Sequence, residues 1–509
     1  MTSKLVGIFV YLLILLIIGW FASRRVKSLG DYIAAGKKLG FLPAALSARA
    51  TGESAWLLLG LTGMGAAIGL QAFWVVVGEI VGVGIAWLMM NRRFNRLTTK
   101  YGALTIPDYL EARFRDSSHA LRLVSAGALV IFVMIYVSAQ IDATATAFHS
   151  FLGWNYFVGA TVGFGVVVIY IVAGGFLAVV WSDVFQGGLM FVGLVAIPII
   201  GLNYAGGWNN VAVGLAAQDP GLMSIWGPAG LTLNNILAIV ALASIGLGFL
   251  GSPQIFVRIL ALKSEGEVRK GAVVAILYTT LTDCGAVLIG MIGRHVLMGP
   301  QESLVAVLGA NGQDVLPLIV GVLIPVVFIG FVIAAVLSAA MSTVDSLLLV
   351  AASSVVRDVY QKILHPSLPD ESLVRLSRLT TVGLAMGAFA LAMAIAIFIP
   401  ERTIFWFIVF GWSGIAATFC PTMILSLFWA RFTRRGALAA MISGFLAVPI
   451  FKFAMPLLPG AAGEAFANLE EMFPAFVVGF AVGIPVSLFD RKGQLALQGI
   501  EAELKSQSD

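Results

Sequence analysis

The chain has very little charge for its length. Only 11% of its 509 residues are Asp, Glu, Lys or Arg, whereas 60% are hydrophobic. Soluble globular domains carry about 25% charged residues, because their surfaces face water. The shortage of charge therefore excludes a soluble protein of this size and predicts a polytopic membrane protein.

Cysteine and histidine are also scarce. The two cysteines, Cys284 and Cys420, both fall in apolar segments, so no disulfide framework is expected. The chain has only four histidines, all near the ends of apolar segments, which argues against a histidine proton relay. It contains no Walker A motif, no His/Cys metal cluster within an apolar segment and no filter repeat. A primary pump, a membrane enzyme and an ion channel are therefore poor candidates, and we predict no enzyme activity.

Thirteen apolar segments are long enough to cross a bilayer, which takes about 20 residues per helix. The ninth is too long for one crossing, so we expect its C-terminal end to project beyond the bilayer. The sequence therefore predicts an all-α integral membrane protein with about 13 transmembrane helices. The segments are residues 4–23, 40–62, 67–91, 120–148, 155–174, 182–204, 233–260, 270–297, 317–355, 376–399, 404–429, 436–456 and 471–489.

The basic residues predict the orientation of these helices. With the N-terminus outside, 26 of the 31 Lys and Arg residues fall in cytoplasmic loops, where positive charge is enriched. We therefore predict a multi-pass protein of the cell membrane with its C-terminus in the cytoplasm. The formal net charge of +5 also reflects these basic cytoplasmic loops, so no nucleic-acid partner is expected.

Two interruptions, one polar and one rich in glycine and proline, fall at matching places in two groups of five helices. The second segment carries Arg49, Gly52 and Glu53, and the seventh carries Gly251 and Pro253. Broken helices at corresponding positions of two inverted halves indicate a transporter's central site, and we expect the first break at Gly52. Alternatively, the first cluster is a helix end at the membrane surface, and the glycines of the seventh segment serve close packing. The predicted divisions are a leading helix and loop in residues 1–39, a first repeat in 40–232, a second repeat in 233–430, and two trailing helices with a tail in 431–509.

Several acids and a cluster of hydroxyls fall within or beside the predicted helices. On a helix, Ser342, Thr343 and Ser346 share one face, with Asp345 nearby. Hydroxyls that face the open carbonyls of a broken helix form a small cage of hard oxygens, which suits Na⁺ better than a transition metal. Alternatively, these hydroxyls bond to carbonyls of their own helix. The acids are Glu53, Glu79, Asp142, Asp183, Asp283 and Asp345.

Four long motifs resemble those of the sodium:solute symporter family, and most of all those of its sodium/proline symporters. They lie at residues 104–114, 174–190, 246–258 and 339–354, and the similarity covers nearly the whole chain. The resemblance implies the LeuT-type fold, with two inverted five-helix repeats, one leading helix and two trailing helices. It also implies sodium-driven import of a small organic solute by alternating access.

The same resemblance implies a set of site residues. The family's sodium site matches the carbonyls of Ala50, Glu53 and Ala339 and the hydroxyls of Ser342 and Thr343. Asp183 corresponds to an acid that assists sodium binding in relatives, and Asp345 and Ser346 match positions where some members hold a second sodium ion. The residues that match the substrate pocket are Trp56, Tyr136, Phe249 and Pro253.

Several residues depart from the pattern of the sodium/proline symporters. Those proteins have an aspartate where this chain has Gly52, a tryptophan at Ile245 and a tyrosine at Phe249. Arg49 and Asp142 replace small or apolar residues, and we treat both as candidates for a coupling or charge pair. These departures leave the family resemblance intact but weaken the match to proline as the solute.

Arg49 allows three hypotheses. Because it lies four residues before Glu53, it could form an intrahelical ion pair that lowers the cost of both charges. It could instead bind a substrate carboxylate, or take the place of the sodium ion. We predict Na⁺-coupled symport of a proline-like amino acid or a monocarboxylate, with the solute, Na⁺ and the lipid bilayer as partners and a monomer as the functional unit. The alternative is a sodium-independent or proton-coupled transporter of the same fold, in which Arg49 replaces the ion.

Overall fold

The computed structural model describes residues 2–25, 29–399 and 403–505, and these residues are nearly all helical. Within them, eleven helical runs are long and apolar enough to cross a membrane. One of these runs, Phe41–Lys100, contains two of the predicted segments, and the shorter apolar helix Tyr156–Val172 matches another. All thirteen predicted segments are therefore helical, which confirms the all-α membrane fold.

We number the thirteen membrane helices α1 to α13. Several of them change from α-helix to a wider or tighter helix partway along. Their bounds are α1 Thr2–Ser23; α2 Phe41–Ala55, continued by Trp56–Leu61 and Thr62–Ile68; α3 Phe73–Ile85, continued by Ala86–Met90 and Asn91–Lys100; α4 Ala120–Leu152; α5 and α6 together Tyr156–Tyr204, with a turn at Gly175; α7 Leu233–Ser244, Ile245–Leu250 and Pro253–Leu260; α8 Glu265–Leu297; α9 Val326–Ser353, continued by Ser354–Leu364; α10 Asp370–Phe398; α11 Ile404–Phe428; α12 Arg434–Pro449, continued by Ile450–Ala454; and α13 Met472–Phe489.

Short helices form most of the connections between the membrane helices. They are Leu29–Ala34, Ala35–Lys37, Gly69–Ala72, Ile106–Phe114, Trp208–Gln218, Pro220–Met223, Leu304–Leu308, Ala310–Gly312, Val315–Leu323, Met455–Leu457 and Ala461–Leu469. Two further short helices, Arg491–Ala496 and Ile500–Lys505, follow α13.

The ninth predicted segment is wrong at its start. Residues Val315–Leu323 form a separate short helix, and α9 begins only at Val326. The reason is Pro325, because proline has no backbone N–H and forces the residue before it out of the helical region. Ile324 accordingly has an extended backbone, with φ −107° and ψ 127°.

Glycines bring α3 and α7 into backbone contact. A Cβ added to Gly246 would lie 1.9 Å from the Gly78 carbonyl oxygen, and one added to Gly82 would lie 2.0 Å from the Gly246 carbonyl oxygen. Only glycine fits at these positions, as is common where membrane helices pack closely. The packing interpretation of these glycines is therefore correct, and it coexists with the break in α7 described below.

Candidate ion and solute site

The break in α2 lies at Ser54. The predicted position, Gly52, is wrong. Ser54 has a non-helical backbone, with φ 20° and ψ −173°, whereas Gly52 stays within the helix. Gln140 of α4 stabilises the break, because its Oε1 accepts from the Ala55 N–H at 3.1 Å and its Nε2 donates to Ser54 Oγ at 3.2 Å. A polar side chain thus satisfies backbone groups that the broken helix leaves open.

Gly52 has a steric role instead. A Cβ at this position would lie 2.6 Å from the ring of Phe249. A side chain at this position would therefore require the Phe249 ring to move. Gly52 and Phe249, which both depart from the sodium/proline symporters, are therefore in contact with each other. The sequence did not reveal this contact.

The predicted interruption of α7 is present. Residues Ile245–Leu250 wind into a tight 3₁₀ helix, Gly251 has φ 156°, and an α-helix restarts at Pro253. This backbone angle favours glycine, because a Cβ would be strained there. The second and seventh helices are thus both broken, as expected at the centre of an inverted-repeat transporter.

Two hydroxyls of α9 meet two carbonyls of α2 just before its break. Ser342 Oγ donates to the Ala50 carbonyl and Thr343 Oγ1 donates to the Thr51 carbonyl, both at 2.9 Å. Both hydroxyls also lie near the carbonyl of Ala339, at 3.4 Å and 3.2 Å. All of these residues are buried. The structure thus brings together four of the five predicted sodium ligands and adds Thr51.

Asp183 bonds Arg258, a residue predicted above to lie in a cytoplasmic loop. The Arg258 guanidinium donates to Asp183 Oδ2 and to Thr51 Oγ1, both at 2.9 Å, and it also contacts Ser346 Oγ. Ser47 Oγ donates to the same oxygen of Asp183 at 2.5 Å. Arg258 is completely buried. Its apolar neighbours within the motif at residues 246–258 were the available signal that it is not a loop residue.

Asp345 lies on the far side of this cluster, toward α5 and α6. Its Oδ2 accepts a hydrogen bond from Tyr170 OH at 3.0 Å, and its Oδ1 accepts one from Ser346 Oγ at 3.1 Å. Ser182 Oγ lies 3.4 Å from Oδ2. Asp345 and Ser346 therefore belong to one hydrogen-bonded group with Asp183 and Arg258.

Arg49 forms the ion pair with Glu53 that one of the three hypotheses describes. Its Nε donates to Glu53 Oε1 at 3.0 Å, and its Nη2 contacts the same oxygen. Nη2 also lies 3.3 Å from Oε2 of Glu79 on α3. The guanidinium carbon sits 4.5 Å from the centre of the Phe249 ring, a cation–π contact.

Asp283 of α8 completes a group of three buried acids around this guanidinium. One oxygen from each of Glu53, Glu79 and Asp283 lies within 4.8 Å of the others. Such oxygens could hold a cation, but the guanidinium of Arg49 already bonds two of the three carboxylates. The sequence placed all three acids in membrane helices, yet it could not show that three different helices bring them together.

Aromatic rings line the region next to the break in α2. Phe249 and Tyr136 both pack against Trp412 of α11, with ring centres 5.1 Å and 6.3 Å apart. The Trp412 Nε1 donates to the Ile245 carbonyl at 2.9 Å. Trp56 packs against Phe405 at 6.1 Å. Trp412 was missed, because nothing in the sequence separates it from the other apolar residues of α11.

Two predicted site residues lie elsewhere. Pro253 lines a separate cavity with Pro107 and Asp358, on the side of the connecting helix Ile106–Phe114. Asp142 accepts a hydrogen bond from Tyr156 OH at 2.5 Å, whereas the acids that bond Arg49 are Glu53 and Glu79.

An ion-pair network lies beside that cavity. Arg122 of α4 bonds Asp108 and Glu111 of the connecting helix Ile106–Phe114, at 2.8 Å and 2.7 Å, and Asp358 at the end of α9, at 2.6 Å. Burial opposes ionisation of Glu111, but hydrogen bonds from Arg122 and His119 outweigh it and lower the pKa of this carboxyl. The network joins the first repeat to α9 on this side of the membrane.

Two broken helices, with hydroxyls facing carbonyls at the first break, define the class of ion-coupled transporters with inverted repeats. Residues 32–444 match the sodium:solute symporter family, and the chain belongs to this family. It is therefore a sodium-coupled symporter of a small solute, not an enzyme.

Particular relatives support this assignment. The chain is 36% identical to a high-affinity proline transporter of Bacillus subtilis over 463 residues, which cover 88% of this chain and 93% of the relative. It is 32% identical to a sodium/proline symporter of Escherichia coli over 505 residues, which cover 99% and 96%. A solved Na⁺-coupled sialic acid symporter has the same fold, with a TM-score of 0.78 at 19% identity over 96% of this chain and 98% of that one.

Proposed function

We propose that this chain imports a small proline-like amino acid or a monocarboxylate, driven by one or more sodium ions. The observation that carries the proposal is the meeting of α2 carbonyls with α9 hydroxyls directly beside an aromatic wall. A hard cation and a compact organic solute would both find suitable partners there.

The sodium ion is proposed to bind where α2 and α9 cross. Its ligands would be the carbonyls of Ala50, Glu53 and Ala339 and the hydroxyls of Ser342 and Thr343. The hydroxyls now donate to carbonyls at 2.9 Å, so turning their hydrogens away would leave oxygen lone pairs for the ion. Neutral oxygens of this kind bind a cation weakly enough to release it again.

Asp183 is proposed to support this site through Arg258 and the surrounding hydroxyls, not as a direct ligand. The Arg258 guanidinium already places a positive charge between Asp183 and Ser346. A second sodium ion near Asp345 and Ser346 would meet this charge at short range. We therefore infer that these residues position the first site and do not hold a second ion.

Arg49 is proposed to act as a structural counter-ion. Its guanidinium bonds Glu53 and Glu79, so a solute carboxylate would have to displace one of them. The hydroxyls of Ser342 and Thr343 bond other residues of α2, the carbonyls of Ala50 and Thr51. Both observations favour sodium coupling over a transporter in which Arg49 replaces the ion.

The solute is proposed to lie against Trp56, Tyr136 and Phe249, with Trp412 as a further wall. The two repeats, residues 40–232 and 233–430, would rock about this site in a functionally monomeric protein. With 100 mV and a tenfold gradient, one Na⁺ supplies about 2.3 + 1.4 kcal/mol, enough for roughly 500-fold accumulation of a neutral solute.

Uptake into proteoliposomes tests this proposal. An inward sodium gradient is imposed and a panel of labelled amino acids and monocarboxylates is offered, proline among them. We expect saturable accumulation of one of these solutes that requires sodium and collapses when the gradient is removed. Equal uptake with sodium and with choline, or accumulation that follows a proton gradient alone, would contradict the proposal.

A further inference from the structure

A wide cleft lies between the ends of α3 and α11 and the helix Ile500–Lys505, away from the ion and solute site. Its volume is about 880 Å³. Four arginines line it, and Glu501 is the one acid among the lining residues that the structure describes. The arginines are Arg92, Arg93, Arg96 and Arg431.

Two of these arginines have no carboxylate partner among the described residues. Arg93 donates to the Leu427 carbonyl at 3.4 Å and lies over the Phe428 ring at 4.6 Å. Arg431 is exposed at the turn after α11. Arg92 differs, because it pairs with Glu265 at 2.9 Å, although 57% of its side chain is exposed. Arg93 and Arg431 therefore present positive charge to the cleft that no carboxylate of the described residues neutralises.

An apolar face of α3 leads directly into the cleft. Val81, Ile85, Leu88 and Met89 are all exposed, and Leu88 and Met89 also line the cleft. Their spacing of three and four residues places them on one side of the helix. On a membrane helix such a face contacts lipid chains, and the change from Leu88 and Met89 to Arg92 and Arg93 marks the membrane boundary.

We propose that this cleft binds the headgroup of an anionic phospholipid, with an acyl chain lying along the apolar face of α3. Guanidinium groups bind phosphate through paired hydrogen bonds, and basic pockets between membrane helices bind acidic lipid headgroups. The continuous apolar face favours a lipid over free phosphate, which has no acyl chain to bury. Trp429, at the same level, is typical of a membrane interface.

Native mass spectrometry of the purified protein in detergent tests this proposal. Phosphatidylglycerol and phosphatidylcholine with identical acyl chains are added in turn to the wild-type protein. We expect the first phosphatidylglycerol to bind with an affinity higher by about tenfold or more, since each arginine near the surface attracts an acidic lipid. Equal binding of the two lipids by the wild-type protein would overturn the proposal without any variant being needed.

Two double variants then locate the site. Arg93→Gln with Arg431→Gln should abolish the preference for phosphatidylglycerol. Arg269→Gln with Arg491→Gln removes the same charge from exposed arginines outside the cleft and should keep it. A preference that survives the first pair, in protein that elutes as a single folded species, would overturn the proposal. Displacement of phosphatidylglycerol by millimolar inorganic phosphate would do the same, because it would identify a free-anion site.

Discussion

The two buried charge clusters on α2 differ in how their charges are balanced. Around Arg49, a single guanidinium bonds two carboxylates, Glu53 of α2 and Glu79 of α3, and a third carboxylate, Asp283 of α8, lies beside these two. Around Arg258, a single guanidinium serves one carboxylate, Asp183, and the remaining partners are hydroxyls and a backbone carbonyl. Arg49 is the one cation that bonds the first cluster among the described residues, whereas the second cluster has neutral groups that can exchange partners.

This difference separates two tasks along one helix. Neutral hydroxyls and carbonyls can release one partner and accept a sodium ion at low cost, which suits the part of α2 before its break. Carboxylates held by a guanidinium are costly to separate in a membrane interior. We therefore expect the Arg49 cluster to hold α2, α3 and α8 together, and the Arg258 cluster to respond to sodium.

The largest effect is expected from Arg49→Met. This change strands Glu53 and Glu79 without their cation, and removing one partner of a buried pair costs about 3–5 kcal/mol. Arg258→Met should cost less, because Asp183 keeps its hydrogen bond from Ser47. Thermal unfolding in detergent measures both. A variant at Arg258 that is less stable than the one at Arg49 would reverse the comparison.

The second prediction concerns rescue within the Arg49 cluster. Adding Glu53→Gln to Arg49→Met should give a loss smaller than the sum of the single losses, because the two residues are coupled. Adding Glu79→Gln should recover further stability, since Glu79 is the second partner of the guanidinium. Glu464→Gln, at an exposed acid, serves as the control and should be additive. Strict additivity at Glu53 would exclude the pair.

The third prediction concerns the Arg258 cluster. Asp183→Asn should raise the sodium concentration for half-maximal uptake severalfold and change solute affinity at saturating sodium much less. Ser47→Ala is the matched control, because it removes a hydrogen bond to Asp183 but keeps the charge, and its effect should be smaller. Equal losses of folding and expression in Asp183→Asn, with no specific sodium effect, would mark Asp183 as purely structural.

The smallest effect is expected at an acid outside the membrane. Burial opposes ionisation of Asp116, but hydrogen bonds from Ser118 and the Leu121 N–H, with Arg434 nearby, lower its pKa. A lowered pKa stabilises the fold above the unfolded value of about 3.9, and this stabilisation is lost as pH falls through the folded pKa. Asp116→Asn should therefore cost about 1 kcal/mol or less at neutral pH. The difference in free energy of unfolding between wild type and Asp116→Asn should shrink below about pH 4. A difference that stays constant with pH would contradict the lowered pKa of Asp116.

The sequence predicted the fold well because membrane helices leave a long apolar signal. Thirteen segments and two paired interruptions follow from hydropathy, glycine and proline alone. The start of α9 was missed because Val315–Leu323 is as apolar as the helix after it, so only Pro325 marks the boundary. The position of the first break was missed because Ser54 is held open by Gln140, a contact between distant segments.

The candidate site was predictable only in part. Ser342 and Thr343 share a helical face, so their convergence could be inferred. The link between Gly52 and Phe249 and the position of Arg258 beside Asp183 depend on how separate helices pack, which spacing along one helix does not encode. The same holds for Glu79, which bonds Arg49 from α3, and for Asp283 of α8, which lies beside the two glutamates.

The sodium requirement of a variant without the two α9 hydroxyls tests the central claim most directly. Ser342→Ala with Thr343→Ala should raise the sodium concentration for half-maximal solute uptake at least about tenfold, since each buried ligand contributes on the order of 1–3 kcal/mol. Ser338→Ala is the matched control, because this hydroxyl lies on the same helix but bonds the Ala334 carbonyl at 2.7 Å. It should leave the sodium requirement unchanged. An unchanged sodium requirement in a well-folded double variant would contradict the account.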